Sequence, residues 1–181
     1  MCRVALAVLA LLAFAAARAD EQVVICYNYG CLAQTTVNFS EEQLERVQRT
    51  LVRSPDPFTE RVAIAWAVGR MYFFAGQQAP IWRDKGGNYD DGGADGRMDC
   101  IDHAANTSAW LAIFERRGWL KFHTVLAPVD RGIFAAHRGA RIRERPGKEE
   151  FIVDSWFFDN GDPAAVFTLA DWKRGARANG K

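Results

Sequence analysis

The chain has no surplus of charge of either sign, with 23 basic residues against 22 acidic ones in 181. Bulk electrostatic attraction to nucleic acid or to a membrane surface is thereby excluded as its organising chemistry. It also lacks an apolar run of the about 20 residues that a membrane-spanning helix needs. Histidine is scarce at three residues and cysteine numbers four, so every candidate for thiol or imidazole chemistry can be weighed by name. Internal repeats are missing, and so are long low-complexity tracts apart from a Gly/Asp-rich stretch over 85–98. Nothing calls for a second domain.

What is present begins with a leader. Met1-Cys2-Arg3 precedes an apolar run from Val4 to Ala17 that ends in Ala17-Arg18-Ala19, the pattern of a secretory signal peptide. The expectation is a signal over 1–19, one domain over 20–181, and a secreted or periplasmic protein. The formal charge of +1 becomes −1 once Arg3 and Arg18 leave with the leader. Cys2 leaves with it too. Cys26 and Cys31 flank Tyr-Asn-Tyr-Gly, plausible turn sequence, and in an oxidising compartment they are expected to form a disulfide. Cys100 is then the leftover thiol.

Helix signals are strong upstream of it. Ser40-Glu41-Glu42-Gln43 is a capping-box pattern that predicts a helix over 41–53, with Leu44, Val47 and Leu51 on one face. Asp56-Pro57 predicts the next, over 57–75, where Phe58, Val62, Ala65, Trp66, Met71, Tyr72, Phe73 and Phe74 leave so little polar face that the helix is expected to be largely buried. Asp99 reads as the N-cap of a third, over 100–116, stopped by Gly118. Cys100 therefore falls in a first turn, where unpaired N–H groups and the helix dipole favour an anion. After Gly118 the pattern turns to short period-two runs, 120–127, 133–145 and 149–157, with Arg145-Pro146-Gly147-Lys148 as the last turn. These are expected to be antiparallel strands.

A thiol nucleophile needs a base, and the base needs an orienting acceptor. His103 lies three residues after Cys100 on the same helix, so both would point from one surface and leave little room for a substrate. His123 lies in the first strand. His137 opens the second, and a turn centred on Pro146-Gly147 sets residue 137 opposite 156 and diagonal to 154, on one face with Asp154. That partner favours His137 over the other two.

Cys100 at a helix start, His137 on a strand and Asp154 in Phe151-Ile152-Val153-Asp154-Ser155-Trp156 on the next resemble the transglutaminase-like branch of the papain-type cysteine hydrolases. The likeness spans Asp99 to Trp156, and the secreted bacterial proteinase-like members fit best. It implies an α+β fold in which a Cys-bearing helix packs on an antiparallel sheet, and a Cys100-His137-Asp154 triad performing thiol acyl transfer on a protein or peptide. No cofactor is implied, and no nucleic-acid partner or stable membrane insertion. One oxyanion donor would be the Cys100 N–H; for the second, Trp82, Asn88 and Tyr89 stand on equal footing. The sequence assigns no oligomeric state.

Two rivals stay open. Asp99-Cys100 is also similar to the start of the nucleophile helix in the other bacterial Cys-His class of cell-wall peptidases, but Ile101-Asp102 replaces the Ser-Gly found there. The other rival is a secreted binding module in which Cys100 is structural. Asp90, Asp91, Asp95 and Asp99 offer the oxygen ligands that calcium takes, yet their spacing departs from the twelve-residue calcium loop. Zinc at Cys100, Asp102 and His103 is weaker, since these helix positions cannot all face one ion. No metal is assigned. Trp110, Trp119 and Trp156 are each expected to line either core or cleft.

Overall fold

A computed structural model describes residues 20–87, 93–132 and 136–178. The leader over 1–19 lies outside the described residues, as do Asn88, Tyr89, Asp90 and Asp91 of the Gly/Asp-rich loop.

The described chain opens with a hairpin that sequence patterning did not announce, β1 (Glu21–Tyr27) antiparallel to β2 (Ala33–Phe39). Its Ile25, Val37 and Phe39 are fully buried while polar residues alternate with them. The expected Cys26–Cys31 disulfide closes the turn. Between the two cysteines the backbone winds through the left-handed region at Asn28, Tyr29, Gly30 and Cys31, with φ of 65°, 66°, 63° and 58°. Three of those residues are not glycine, so the conformation persists only because its surroundings hold it. Successive N–H groups in such a turn form a concave anion cradle. Tyr29 and Cys31 donate to the Asp102 carboxylate at 2.8 and 2.6 Å, and Gly30 donates to Asp99 at 3.0 Å. The disulfide loop thus grips the start of the helix that bears Cys100.

The helix caps fall where the sequence puts them. Ser40 and Gln43 make the capping box of α1 (Glu41–Leu51), whose Leu44, Val47 and Leu51 are buried. Asp56 accepts from the Thr59 N–H at 2.7 Å to start α2 (Pro57–Gly76). The expected burial of α2 is only half met. Ile64, Val68, Met71 and Tyr72 are in the core, but Phe58, Val62, Trp66 and Phe73 are 68, 45, 59 and 49% exposed. Apolar residues all around a helix do not tell which side will be covered, and here one side stays largely open to solvent. A short 3₁₀ turn at Pro80–Arg83 leads toward α3 (Cys100–Arg116), and Gly118 follows its end with φ 71°, a conformation that favours glycine.

Beyond α3 the chain builds one antiparallel sheet in sequence order: β3 (His123–Arg131), β4 (His137–Glu144), β5 (Glu150–Asp154) and β6 (Ala165–Thr168). The last strand runs directly into α4 (Leu169–Lys173). In the β4–β5 register Ala140 faces Val153 and Ile142 faces Phe151, the register that a turn centred on Pro146-Gly147 predicts. α3 packs against β3, β4 and β5 and also against β1, giving an α+β arrangement. The core runs through all of these elements, from Ile25 and Phe39 to Trp110, Phe114, Ile142 and Val153. Trp110 sits at its centre, edge-on to Phe39 at 5.2 Å and to Tyr72 at 5.9 Å, where buried aromatics supply large apolar area. Trp119 is likewise core.

Candidate active site

Asp99 caps α3 by accepting from the N–H groups of Ile101 and Asp102, both at 2.9 Å, while Asp102 reaches back to the Asp99 N–H. Cys100 occupies the first helical position, half-buried, as the free cysteine of the described residues. Its N–H takes no part in the capping box. Its sulfur lies 3.9 Å from the carbonyl of Ala136, the residue before β4, close enough to His137 for the two to interact electrostatically.

His137 begins β4 and Asp154 ends β5, so two adjacent antiparallel strands bring them together. The His137 Nε2 lies 2.7 Å from the Asp154 Oδ2. A carboxylate can only accept, so Nε2 carries the proton and Nδ1 is the nitrogen left for the thiol. Asp154 is itself held twice more: Trp172 of α4 donates its indole N–H at 2.9 Å, and the Trp156 N–H donates at 3.3 Å. Trp156, Phe157 and Trp172 wall the imidazole, with ring centroids 5.1, 5.8 and 5.7 Å away. Burial by these rings opposes a charge on His137, but hydrogen bonding to Asp154 and Cys100, reinforced by their charges, outweighs it and raises the ring's pKa to about 9. At neutral pH an imidazolium sits beside the sulfur.

The three residues singled out in the sequence are thus brought to one place. Trp172 was not foreseen, although Thr168-Leu169-Ala170-Asp171 is a legible N-cap pattern just ahead of it, with Thr168 accepting from the Asp171 N–H at 3.1 Å. Gly139 makes the room. A Cβ there would meet Ile152 Cγ2 at 2.4 Å and the Trp172 ring at 3.1 Å, so an indole from α4 covers the histidine where a side chain of β4 would otherwise stand.

The other two histidines turn inward. His103 does not share a surface with Cys100 but is buried, with Nδ1 2.8 Å from Ser155 Oγ and Nε2 3.0 Å from Asp84 Oδ2. Ser155 also meets Thr107 Oγ1 at 2.9 Å and the Tyr72 hydroxyl at 3.2 Å, and Asp84 accepts from the Met98 N–H at 2.8 Å. Burial holds the Tyr72 phenol above the ordinary range, so it stays neutral. His123 pairs with buried Glu60 at 2.8 Å. Burial pushes the Glu60 carboxyl up, but His123 and the N–H groups of Lys121 and Phe122 prevail and hold it below its usual value.

Cys100, Asp102 and His103 do not converge on a metal position: Asp102 is spent on the disulfide loop and His103 on Asp84. Asp95 pairs with Arg83 and accepts from Asn28, and Asp99 is a cap. Trp82 is 61% exposed beside Arg83. A groove of about 500 Å³ lined by Phe58, Arg61, Val62, Phe151 and Val166 has neither Cys100 nor His137 in its wall. No helix of the described residues is long and apolar enough to cross a membrane. No family model, no curated protein and no solved structure matches the chain.

Proposed function

We propose that the protein is an exported thiol acyl hydrolase of the transglutaminase-like, papain-type kind, acting on peptide or protein amides. The observation that carries this is the line Asp154–His137–Cys100, in which one ring nitrogen is fixed by a buried carboxylate and the other is left to a thiol at a helix start. The leader and the Cys26–Cys31 disulfide favour export.

The Cys100 thiolate attacks the amide carbonyl carbon, and the developing oxyanion meets the uncommitted Cys100 N–H. His137, protonated, gives its Nδ1 proton to the departing amine as the C–N bond breaks, leaving a thioester on Cys100. Water then attacks the thioester, His137 takes its proton, and collapse releases the carboxylic acid and regenerates the thiolate–imidazolium pair. Asp154 keeps Nε2 protonated and the ring aimed throughout, and does not itself exchange a proton.

Labelling with iodoacetamide near neutral pH tests the reading. The folded protein is expected to be carboxamidomethylated at Cys100, at least tenfold more slowly in His137→Ala, and the Cys100→Ala variant is expected to retain its fold with no acyl-transfer activity. A Cys100 that stays unmodified while the protein is folded would overturn this reading and leave a binding module with a structural thiol.

A further inference from the structure

Next to the catalytic imidazole lies a cavity of about 260 Å³ whose wall is basic. His137, Trp156 and Phe157 form part of it, and Arg131, Lys173, Arg174 and Arg177 contribute the rest of its side chains. No carboxylate lines it. The acids of the adjoining elements are spent: Asp154 is buried on His137 and Trp172, Asp171 caps α4 and pairs with Arg174, and Asp130 pairs with Arg138.

A basic tail of this composition usually trails in solvent. Here it is pinned. Gly175 takes φ 95°, turning the chain back after α4, and the N–H groups of Gly175 and Ala176 return to the carbonyls of Trp172 and Asp171 at 3.0 and 3.1 Å. Arg131, at the end of β3, donates to the carbonyls of Trp172 and Ala176 and lies over the Trp172 ring at 4.6 Å. The backbone over 174–176 is therefore held against α4 and the end of β3, which brings Lys173 and Arg177 to the wall of the cavity. Lys173 and Arg177, both exposed, have no ion-pair partner among the described residues. Like charges that line one cavity repel one another, a cost that an anion in the cavity would reverse.

Resting on the acyl-transfer reading, we infer that this cavity is a subsite for a carboxylate, so that the substrates are peptides bearing a carboxylate within a residue of the amide that Cys100 attacks. Lys173 and Arg177 supply the free charge, while Arg131 holds the wall and Trp156 and Phe157 take the apolar stem that carries the anion. Recognition by charge beside the reacting carbonyl sets both the specificity and the encounter rate.

Two alkylating probes of nearly equal size separate this inference from the one beneath it. Iodoacetate carries the carboxylate and iodoacetamide does not. The ratio of their rates at Cys100 is expected to fall about tenfold in Lys173→Gln/Arg177→Gln, within the range that local fields add to association, any change in thiol reactivity itself cancelling in the ratio. In the wild-type protein the same ratio is expected to fall when NaCl is raised from low to near-molar concentration. Two small peptides then assign the source of the anion by protecting Cys100 from iodoacetamide: acetyl-glutamate amide presents a side-chain carboxylate and acetyl-glutamine a terminal one. Protection by either supports the subsite. An unchanged ratio in the double variant, or protection by neither peptide, overturns the subsite while leaving the thiol-imidazole pair intact; labelling by neither reagent overturns both.

Discussion

All three histidines of this protein meet a buried carboxylate, and two of them frame a sharp contrast. His137 gives one nitrogen to Asp154 and keeps the other for a half-buried thiol. His103, one turn along the same helix as that thiol, spends both nitrogens, on Asp84 and Ser155. The pairs look alike in composition, down to the neighbouring positions of Asp154 and Ser155. What separates chemistry from scaffold is whether a second nitrogen remains uncommitted and whether it opens on a cleft. The buried set is a clamp: Asp84 precedes the Gly/Asp-rich loop, His103 is on α3 and Ser155 follows β5, so one polar network ties the helix of Cys100 to the strand of Asp154.

Exchanging the insults should separate the two pairs most widely. His137→Ala is expected to lower kcat/KM by about 10³-fold or more, because the base, the counter-ion and the proton donor go together, on top of the about 3 kcal/mol of stability that its pairing with Asp154 represents near neutral pH. Asp84→Ala is expected to cost about 3–5 kcal/mol in urea unfolding, since His103 and the Met98 N–H lose a buried partner, while the protein that remains folded keeps its kcat/KM. Parallel titrations with a peptide substrate and with urea measure both. A fully stable Asp84→Ala protein that has lost activity would break the contrast and move Asp84 into the reacting machinery.

The same contrast has a pH form. The His137 pKa is raised to about 9 against an ordinary value of 6.5, so the folded state binds its proton more tightly than the unfolded chain does. The stabilisation this represents, about 3 kcal/mol, is fully present below pH 6.5 and is lost as pH rises through 9. Urea unfolding at intervals from pH 6 to 10 should show that loss in the wild-type protein and a much flatter profile in Asp154→Asn, which removes the charge that holds the imidazolium. Equal slopes in the two proteins would place the proton elsewhere.

Much of this arrangement was legible because local chemistry punctuates it. Ser40, Asp56-Pro57 and Asp99 each satisfy N–H groups that a helix start cannot, so α1, α2 and α3 begin where those residues stand. The Pro146-Gly147 turn set the register that joins His137 to Asp154, and spacing plus the leader foretold the disulfide. Other parts depend on distant partners. The β1–β2 strands are half polar, and only Ile25, Val37 and Phe39 meeting the core make them a hairpin. β6 is four residues long and exists by pairing with β5. The exposed face of α2 was misjudged because residue types report solubility, not the presence of a neighbour. His103 was misplaced because three residues of helix separate its direction from that of Cys100 enough to send one into the core and leave the other at the surface.

Trp172 offers the smallest and most discriminating test of how the open pair is kept in order. Its indole N–H and the His137 Nε2–H converge on the same Asp154 oxygen, and its ring covers the imidazole, so it acts on the reaction only through the orientation of those two groups. Trp172→Phe keeps an aromatic surface and removes the donor. A lost hydrogen bond to a charged, buried group together with a smaller ring should cost about 2 kcal/mol of stability. A purely structural role would stop there, leaving the turnover of the folded protein untouched. A positioning role adds a several-fold fall in kcat with KM nearly constant, and slower iodoacetamide labelling of Cys100 at a pH where the variant is fully folded. Unchanged kcat and labelling in the folded variant would mean that the Trp156 N–H and His137 suffice to orient Asp154, and that Trp172 is there to keep water off the ring.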